Sequence, residues 1–321
     1  MITPDMIAYP SPSETATYHN PLATTKKMKI RYKIDSLRSS LKFKNTKWKT
    51  HPKMEMLTMS NGKIRVLDTK IGKESLLIIP DSPNVIEHYF DVIEQLGKSY
   101  RVIIFDLYGF GFSYHNGKYD YSFDSTNLLI DEILDLLKVT RTNVIFPCSH
   151  GFYGISFATS NPDKVNQLIL LQTPSLSEMN NWSERIVPSF LKQPILSQLI
   201  MPIVEKKFVG KWYDYSLPKE TDREPYQSVA LKALNNGATY CLCSLTQGIA
   251  TQNDSKFKLD DTLPMTLIYG NKDFTHKKTD FNSIKKYNTN IDIIQFEDCG
   301  HFPHLENKKR FIQIVKDKIK L

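Results

Sequence analysis

With 321 residues, the chain is long enough for one large α/β domain with an insertion, or for two small domains. Its 40% hydrophobic and 24% charged residues are close to ordinary globular usage, and no apolar run reaches the ~18 residues that cross a bilayer. The net charge of +8 raises the question of an anionic partner, but no nucleic-acid-binding motif accompanies it.

Much of that charge lies early, in Lys26-Lys27-Met28-Lys29-Ile30-Arg31-Tyr32-Lys33 and again from Lys42 to Lys49. Aromatic residues among the lysines would also suit an anionic membrane surface. The simpler expectation is a basic N-terminal extension, residues 1–50, wrapped over the rest of the chain, with neither nucleic-acid binding nor stable membrane insertion. Met1 to Thr25 is polar and rich in Pro, Ser and Thr, without the apolar core of a secretory signal. Cys148, Cys241, Cys243 and Cys299 have no metal-site spacing, so reduced thiols in a cytoplasmic protein, with no metal or cofactor, are expected.

From about Lys53 the pattern becomes regular. Ile64 to Leu67 and Leu76 to Ile79 read as strands, Val85 to Leu96 as a helix, and Val102 to Phe105 as a third strand. Leu128 to Leu137 is helical. Val144 to Phe146 is a strand, Gly151 to Ser160 a helix ended by Asn161-Pro162, and Leu168 to Leu171 the next strand. Such alternation implies a mostly parallel sheet with helices on both faces. The rhythm stops near Thr173-Pro174 and resumes with strands at Met265 to Tyr269 and Ile291 to Phe296, then a helix at Phe311 to Ile319. Between them, residues 175–263 show helical patterns at Ile195 to Val204 and Tyr226 to Leu245 without clear strands. They read as a helical cap over the C-terminal edge of the sheet, where open α/β sheets bind ligands. The core would be residues 51–174 and 264–321.

Three segments carry candidate chemistry. Phe146-Pro147-Cys148-Ser149-His150-Gly151 joins a strand to a helix and offers two nucleophiles at the turn. Such a turn lifts a nucleophile above the sheet edge and aims helix N–H groups at an oxyanion. Tyr269-Gly270-Asn271-Lys272-Asp273 puts a carboxylate just past a strand, with Asp280 as its nearest rival. Cys299-Gly300-His301-Phe302-Pro303-His304-Leu305-Glu306 puts a histidine in a turn after a strand. The order nucleophile, acid, histidine is that of a nucleophile–His–Asp triad.

On these residues the chain resembles the α/β-hydrolase superfamily from roughly Lys53 to its C-terminus. Asp106-Leu-Tyr-Gly109-Phe-Gly111-Phe-Ser113 is similar to the family's D-x-x-G-x-G-x-S turn. Gly270-Asn-Lys-Asp273 is similar to its acid loop, and Gly300 to Glu306 to its histidine loop. The resemblance implies an α/β-hydrolase fold with a helical cap, His301 as catalytic base and Asp273 as its partner. His304 would pack beside the site, and His150 and Phe302 could line the pocket.

The nucleophile has two candidates. Centred on Ser149, the flanking positions that must be small are Pro147 and Gly151; centred on Cys148 they are Phe146 and His150. Sterics therefore favour Ser149. Spacing favours Cys148, because Val139 and Pro162-Asp-Lys-Val165 fall at the family's distances from it without gaps. Proline is also disfavoured inside a central strand and better placed at its exit, just before Cys148. Cys148 is preferred, with Ser149 as the alternative. Where the family often has His-Gly after its third strand, this chain has Pro80-Asp81-Ser82-Pro83. The Ser82 N–H could serve as an oxyanion donor, although an ionised Asp81 beside it would oppose the negative charge.

The expected function is hydrolysis of an ester or thioester through an acyl-enzyme. A non-hydrolytic enzyme on the same fold (acyltransferase, lyase or cofactor-free oxygenase) and a non-catalytic binding protein are the alternatives. A dehalogenase or epoxide hydrolase would need an aspartate at the elbow. Trp182, Phe190, Met201, Phe208, Trp212, Tyr213 and Tyr215 in the cap fit a small-molecule, apolar acyl substrate, or simply form the core of the cap.

Overall fold

The computed structural model describes residues 21–44 and 46–321, so the polar segment is outside the described residues up to position 20. The strands of the main sheet are β1 (Met54–Met59), β2 (Gly62–Asp68), β3 (Ser75–Ile78), β4 (Arg101–Phe105), β5 (Thr142–Pro147), β6 (Val165–Leu171), β7 (Met265–Gly270) and β8 (Asp292–Phe296). They lie in the order β1-β2-β4-β3-β5-β6-β7-β8, and a short strand at Tyr114–His115 pairs with β2. β1 with β2 and β2 with β4 are antiparallel; every later neighbour is parallel. The central strands are buried along their whole length, as a sheet covered on both faces requires. β1, at the sheet edge, mixes polar with apolar residues and so carries no continuous apolar run.

Helices α2 (Phe90–Leu96), α3 (Phe123–Leu136), α4 (Gly151–Ser160) and α10 (Lys308–Lys318) accompany the sheet, with the single-turn α9 (Pro303–Glu306) before α10. Helix α3 starts five residues earlier than its apolar pattern, because the Ser122 hydroxyl caps it by accepting from the Ser125 N–H. Between β6 and β7 lie α5 (Leu176–Ile186), α6 (Leu196–Ser216), α7 (Glu224–Asn235) and α8 (Leu242–Ile249). The single helical pattern read at 226–245 is broken at Gly237, whose φ of +99° suits glycine. A two-residue strand, Thr239–Tyr240, follows and pairs with Phe110–Gly111. The fold is thus a mostly parallel α/β sheet with helices on both faces and a helical cap.

The basic N-terminal stretch contains a long helix, α1 (Pro21–Phe43). Its apolar periodicity is weak because the face it buries is polar. Arg31, Asp35 and Ser39 are almost fully buried. Arg31 donates to Gln247 Oε1 at 2.7 Å, the Ser244 hydroxyl donates to Asp35 at 2.5 Å, and Arg38 and Lys42 pair with Glu205. Gln198 of α6 joins this network through Ser244 and Gln247. No helix among the described residues is long and apolar enough to cross a membrane.

Candidate active site

The site lies where β5 and β7, and the loop after β8, end at one edge of the sheet. β5 pairs with β3 only as far as Ile145, so Pro147 faces the β6 ladder alone and its missing N–H leaves β3 undisturbed. The next residue, Cys148, has φ +47°, the left-handed region that non-glycine residues seldom occupy. The chain then turns through a short 3₁₀ segment, Cys148–His150, into α4. Thr173 braces the turn by donating its hydroxyl to the Cys148 carbonyl at 2.9 Å. The close approach that demands a small residue falls at Gly151, where a Cβ would lie 2.3 Å from Thr173 Oγ1. Gly151 thus lies three residues past the left-handed Cys148 and two past Ser149.

Cys148 faces His301: the sulfur and a ring nitrogen lie within 4.8 Å of each other. Burial pushes the Cys148 thiol up, against the pull of His301. His301 Nδ1 meets Asp273 Oδ2 at 2.6 Å, and both groups are buried. Asp273 Oδ2 also accepts from Gln172 Nε2 at 2.8 Å, while Oδ1 accepts the Thr275 N–H and hydroxyl, each at 2.8 Å. Burial alone would raise the Asp273 carboxyl; the charge of His301 and these donors hold it below the ordinary value. The His301 backbone N–H donates to Ser216 O at the end of α6, tying the histidine loop to the cap. Glu306 accepts from the Gly300 and Phe302 N–H groups at 2.8 and 2.9 Å.

Asp81, which follows β3, also reaches the site. Its Oδ2 is 3.3 Å from His301 Nε2. Burial raises the Asp81 carboxyl, against the pull of His301. Burial opposes charging His301 as well, but Asp273 and then Asp81 outweigh it and hold the ring well above its ordinary value. The Asp81 N–H donates to the Tyr89 hydroxyl at 2.9 Å, and that hydroxyl hydrogen-bonds His304 Nε2 at 2.8 Å. His304 therefore braces the loop carrying Asp81, and burial pushes it down to about 3, as a neutral ring.

A cavity of about 80 Å³ opens onto these groups, lined by Asp81, Ser82, Cys148, Ser149, His150 and His301 below and by Trp182, Phe208 and Trp212 from the cap. Beyond it, an apolar groove of about 550 Å³ shares the wall formed by Ile186, Phe208 and Trp212, and Phe190 and Tyr215 line its outer part. Phe302 does not line the cavity; its buried ring packs edge-on against His301, at 5.1 Å between centroids. Asp280 is exposed and caps the 3₁₀ helix Phe281–Lys286. Gln172, Thr275 and His276 carried no sequence signal as site residues. Gln172 is a single polar residue after a strand, and its contacts to Asp273 and the Gly270 N–H appear only once β6 and β7 are paired.

A family model described as the alpha/beta hydrolase fold matches residues 76–194. Lipase 3 of Moraxella sp. (strain TA144) is 25% identical over 273 residues, covering 81% of this chain and 82% of that protein. A 2-hydroxy-6-oxononadienedioate/2-hydroxy-6-oxononatrienedioate hydrolase of Paraburkholderia phymatum is 23% identical over 78% of this chain and 88% of that one. Among solved structures, an epoxide hydrolase from Vigna radiata superposes with a TM-score of 0.66 at 15% identity, covering 84% of this chain and 98% of that one.

Proposed function

The chain belongs to the α/β-hydrolase superfamily, and on that premise we propose that it hydrolyses an ester or thioester of an apolar acyl group through an acyl-enzyme on Cys148. The observation that carries this reading is the strained Cys148 turn facing a His301 ring that Asp273 orients at 2.6 Å. His301 Nε2 takes the thiol proton as sulfur attacks the carbonyl, then returns it to the leaving oxygen or sulfur. Water, deprotonated by the same nitrogen, attacks the acyl carbon and frees the acid, and the departing Cys148 sulfur takes the proton back from His301. Asp273, ionised and fully hydrogen-bonded, stabilises the imidazolium formed in each half-reaction.

Asp81 fits this chemistry when it holds the proton it shares with His301. The ring is then neutral and able to act as base. The protonated carboxyl no longer repels an oxyanion and can donate to it, as buried carboxylic acids do elsewhere. The Ser82 and Ser149 N–H groups are the backbone donors beside it. The wall shared by cavity and groove favours an acyl group that passes Phe208 and Trp212, and the lipase among the relatives supports an ester.

Turnover of short and medium p-nitrophenyl esters by the purified chain tests the reading, with mass spectrometry to find the acyl adduct on Cys148. Absence of turnover in the parent, turnover unchanged in His301→Ala, or an adduct on Ser149 would each overturn it. Asp81 favours one second reading, proton-transfer chemistry without hydrolysis, such as a lyase. Reaction in ¹⁸O-water separates the two, since only hydrolysis places the label in the acid product.

A further inference from the structure

From the same cluster we infer a second capability: Cys148, His276 and His301 form a binding site for a thiophilic divalent cation of the zinc class. One donor atom from each of these three buried residues lies within 4.8 Å of the other two. The residues come from three distant loops, so their sequence spacing concealed the set. A zinc ion with bonds of about 2.3 Å to sulfur and 2.0–2.1 Å to nitrogen would draw these donors to roughly 3.5 Å apart.

The outer contacts of both rings are those of metal ligands. His301 Nδ1 is held by Asp273 at 2.6 Å, and His276 Nδ1 by the Thr279 hydroxyl at 3.1 Å. A carboxylate or hydroxyl on one nitrogen fixes the ring and leaves the other free to ligate. The Nε2 atoms of both histidines are buried without a hydrogen-bond partner, and so is Asp81 Oδ2. Asp81, 3.3 Å from His301 Nε2, lies outside the three-donor set but puts a carboxylate beside it. Thiolate and carboxylate together would balance the charge of a divalent cation. Binding replaces the thiol S–H bond by a metal–sulfur bond and releases to solvent both that proton and the one shared by Asp81 and His301. It also occupies the thiol and the base together, so the bound metal is an inhibitor, released by chelation. The site rests on donor geometry alone and stands whether or not Cys148 is a nucleophile.

The test uses the full chain with zinc chloride, and cobalt chloride as the spectroscopic probe. Cobalt is expected to give a thiolate charge-transfer band that Cys148→Ser removes. Zinc at one equivalent is expected to slow iodoacetamide alkylation of Cys148 by roughly tenfold or more, reversibly with EDTA. Cys241, Cys243 and Cys299 serve as internal references by peptide mass spectrometry. His276→Gln should lose this protection, judged against its own alkylation rate without metal, with circular dichroism to check folding. No cobalt band, a band that survives Cys148→Ser, or alkylation unchanged by zinc in the parent chain would overturn the site. Protection without ester turnover would sink only the hydrolase reading. Turnover without protection would sink only the metal site.

Discussion

Below the cavity, Cys148 and Asp273 stand past the ends of β5 and β7, two largely apolar and buried strands, and His301 stands in the loop after the half-exposed edge strand β8. Above it, α6 and α8 are joined to α1 through side chains just as buried but polar: Arg31, Asp35, Gln198, Ser244 and Gln247. The floor draws its stability from non-directional apolar burial, about 25 cal/mol per Å². The cap attachment depends on hydrogen bonds that must all be made at once, because an orphaned buried polar group costs ~1–3 kcal/mol. The floor should therefore tolerate change by repacking, whereas the cap should lose its seat when a single partner is removed.

The largest effect tests the floor as a chemical device. His301→Ala should lower kcat/KM for an ester by roughly 10³-fold or more in a chain that circular dichroism shows to be folded, since a triad acts as a unit. A smaller loss would reduce the floor to a binding surface. Next, Arg31→Ala should destabilise the chain by about 2–3 kcal/mol, because Gln247 and Asp35 lose a buried cation. Limited proteolysis should then cut in or beside α1 before the sheet, and a uniform loss of protection would erase the contrast.

Gly151→Ala tests where the floor cannot repack. The new Cβ would meet the Thr173 side chain at 2.3 Å, and a cost of about 1–3 kcal/mol in chemical denaturation is expected. A neutral outcome would show that this turn has slack.

The last test uses pH on the cap. Burial pushes the Asp35 carboxyl from the ordinary 3.8 up to about 6, against the pull of Ser244, Arg38 and Arg31. A folded value above the unfolded one means the native state binds the proton more tightly. The stability this group adds is complete below about pH 4 and is lost as pH rises through about 6. Asp35→Asn should flatten the melting temperature across that window, a change of no more than ~3 kcal/mol. Equal slopes in parent and variant would remove Asp35 from the account.

The same contrast separates what could be read in the residues from what could not. Continuous apolar runs such as Leu168–Leu171 and helical spacing such as Leu129, Ile130, Ile133 and Leu134 mark the sheet and its helices, because burial on a repeating backbone leaves a period in the chain. Helix α1 has no such mark: apart from Tyr32 the residues it buries are polar, and Arg31 and Asp35 find partners some 200 positions away. In the site, each of Cys148, Asp273 and His301 was named from its own loop.

The amino-acid order by itself determined the strand–helix alternation, the interrupted rhythm that becomes the cap, and the three loops carrying Cys148, Asp273 and His301. These features are local, and a short window of residues encodes each of them. The tertiary structure decided the rest. It put the left-handed turn on Cys148 rather than Ser149, paired Asp81 with His301, and brought His276 beside the same sulfur. Those are distances between residues far apart in the chain, and they exist only after the strands have taken their places in the sheet.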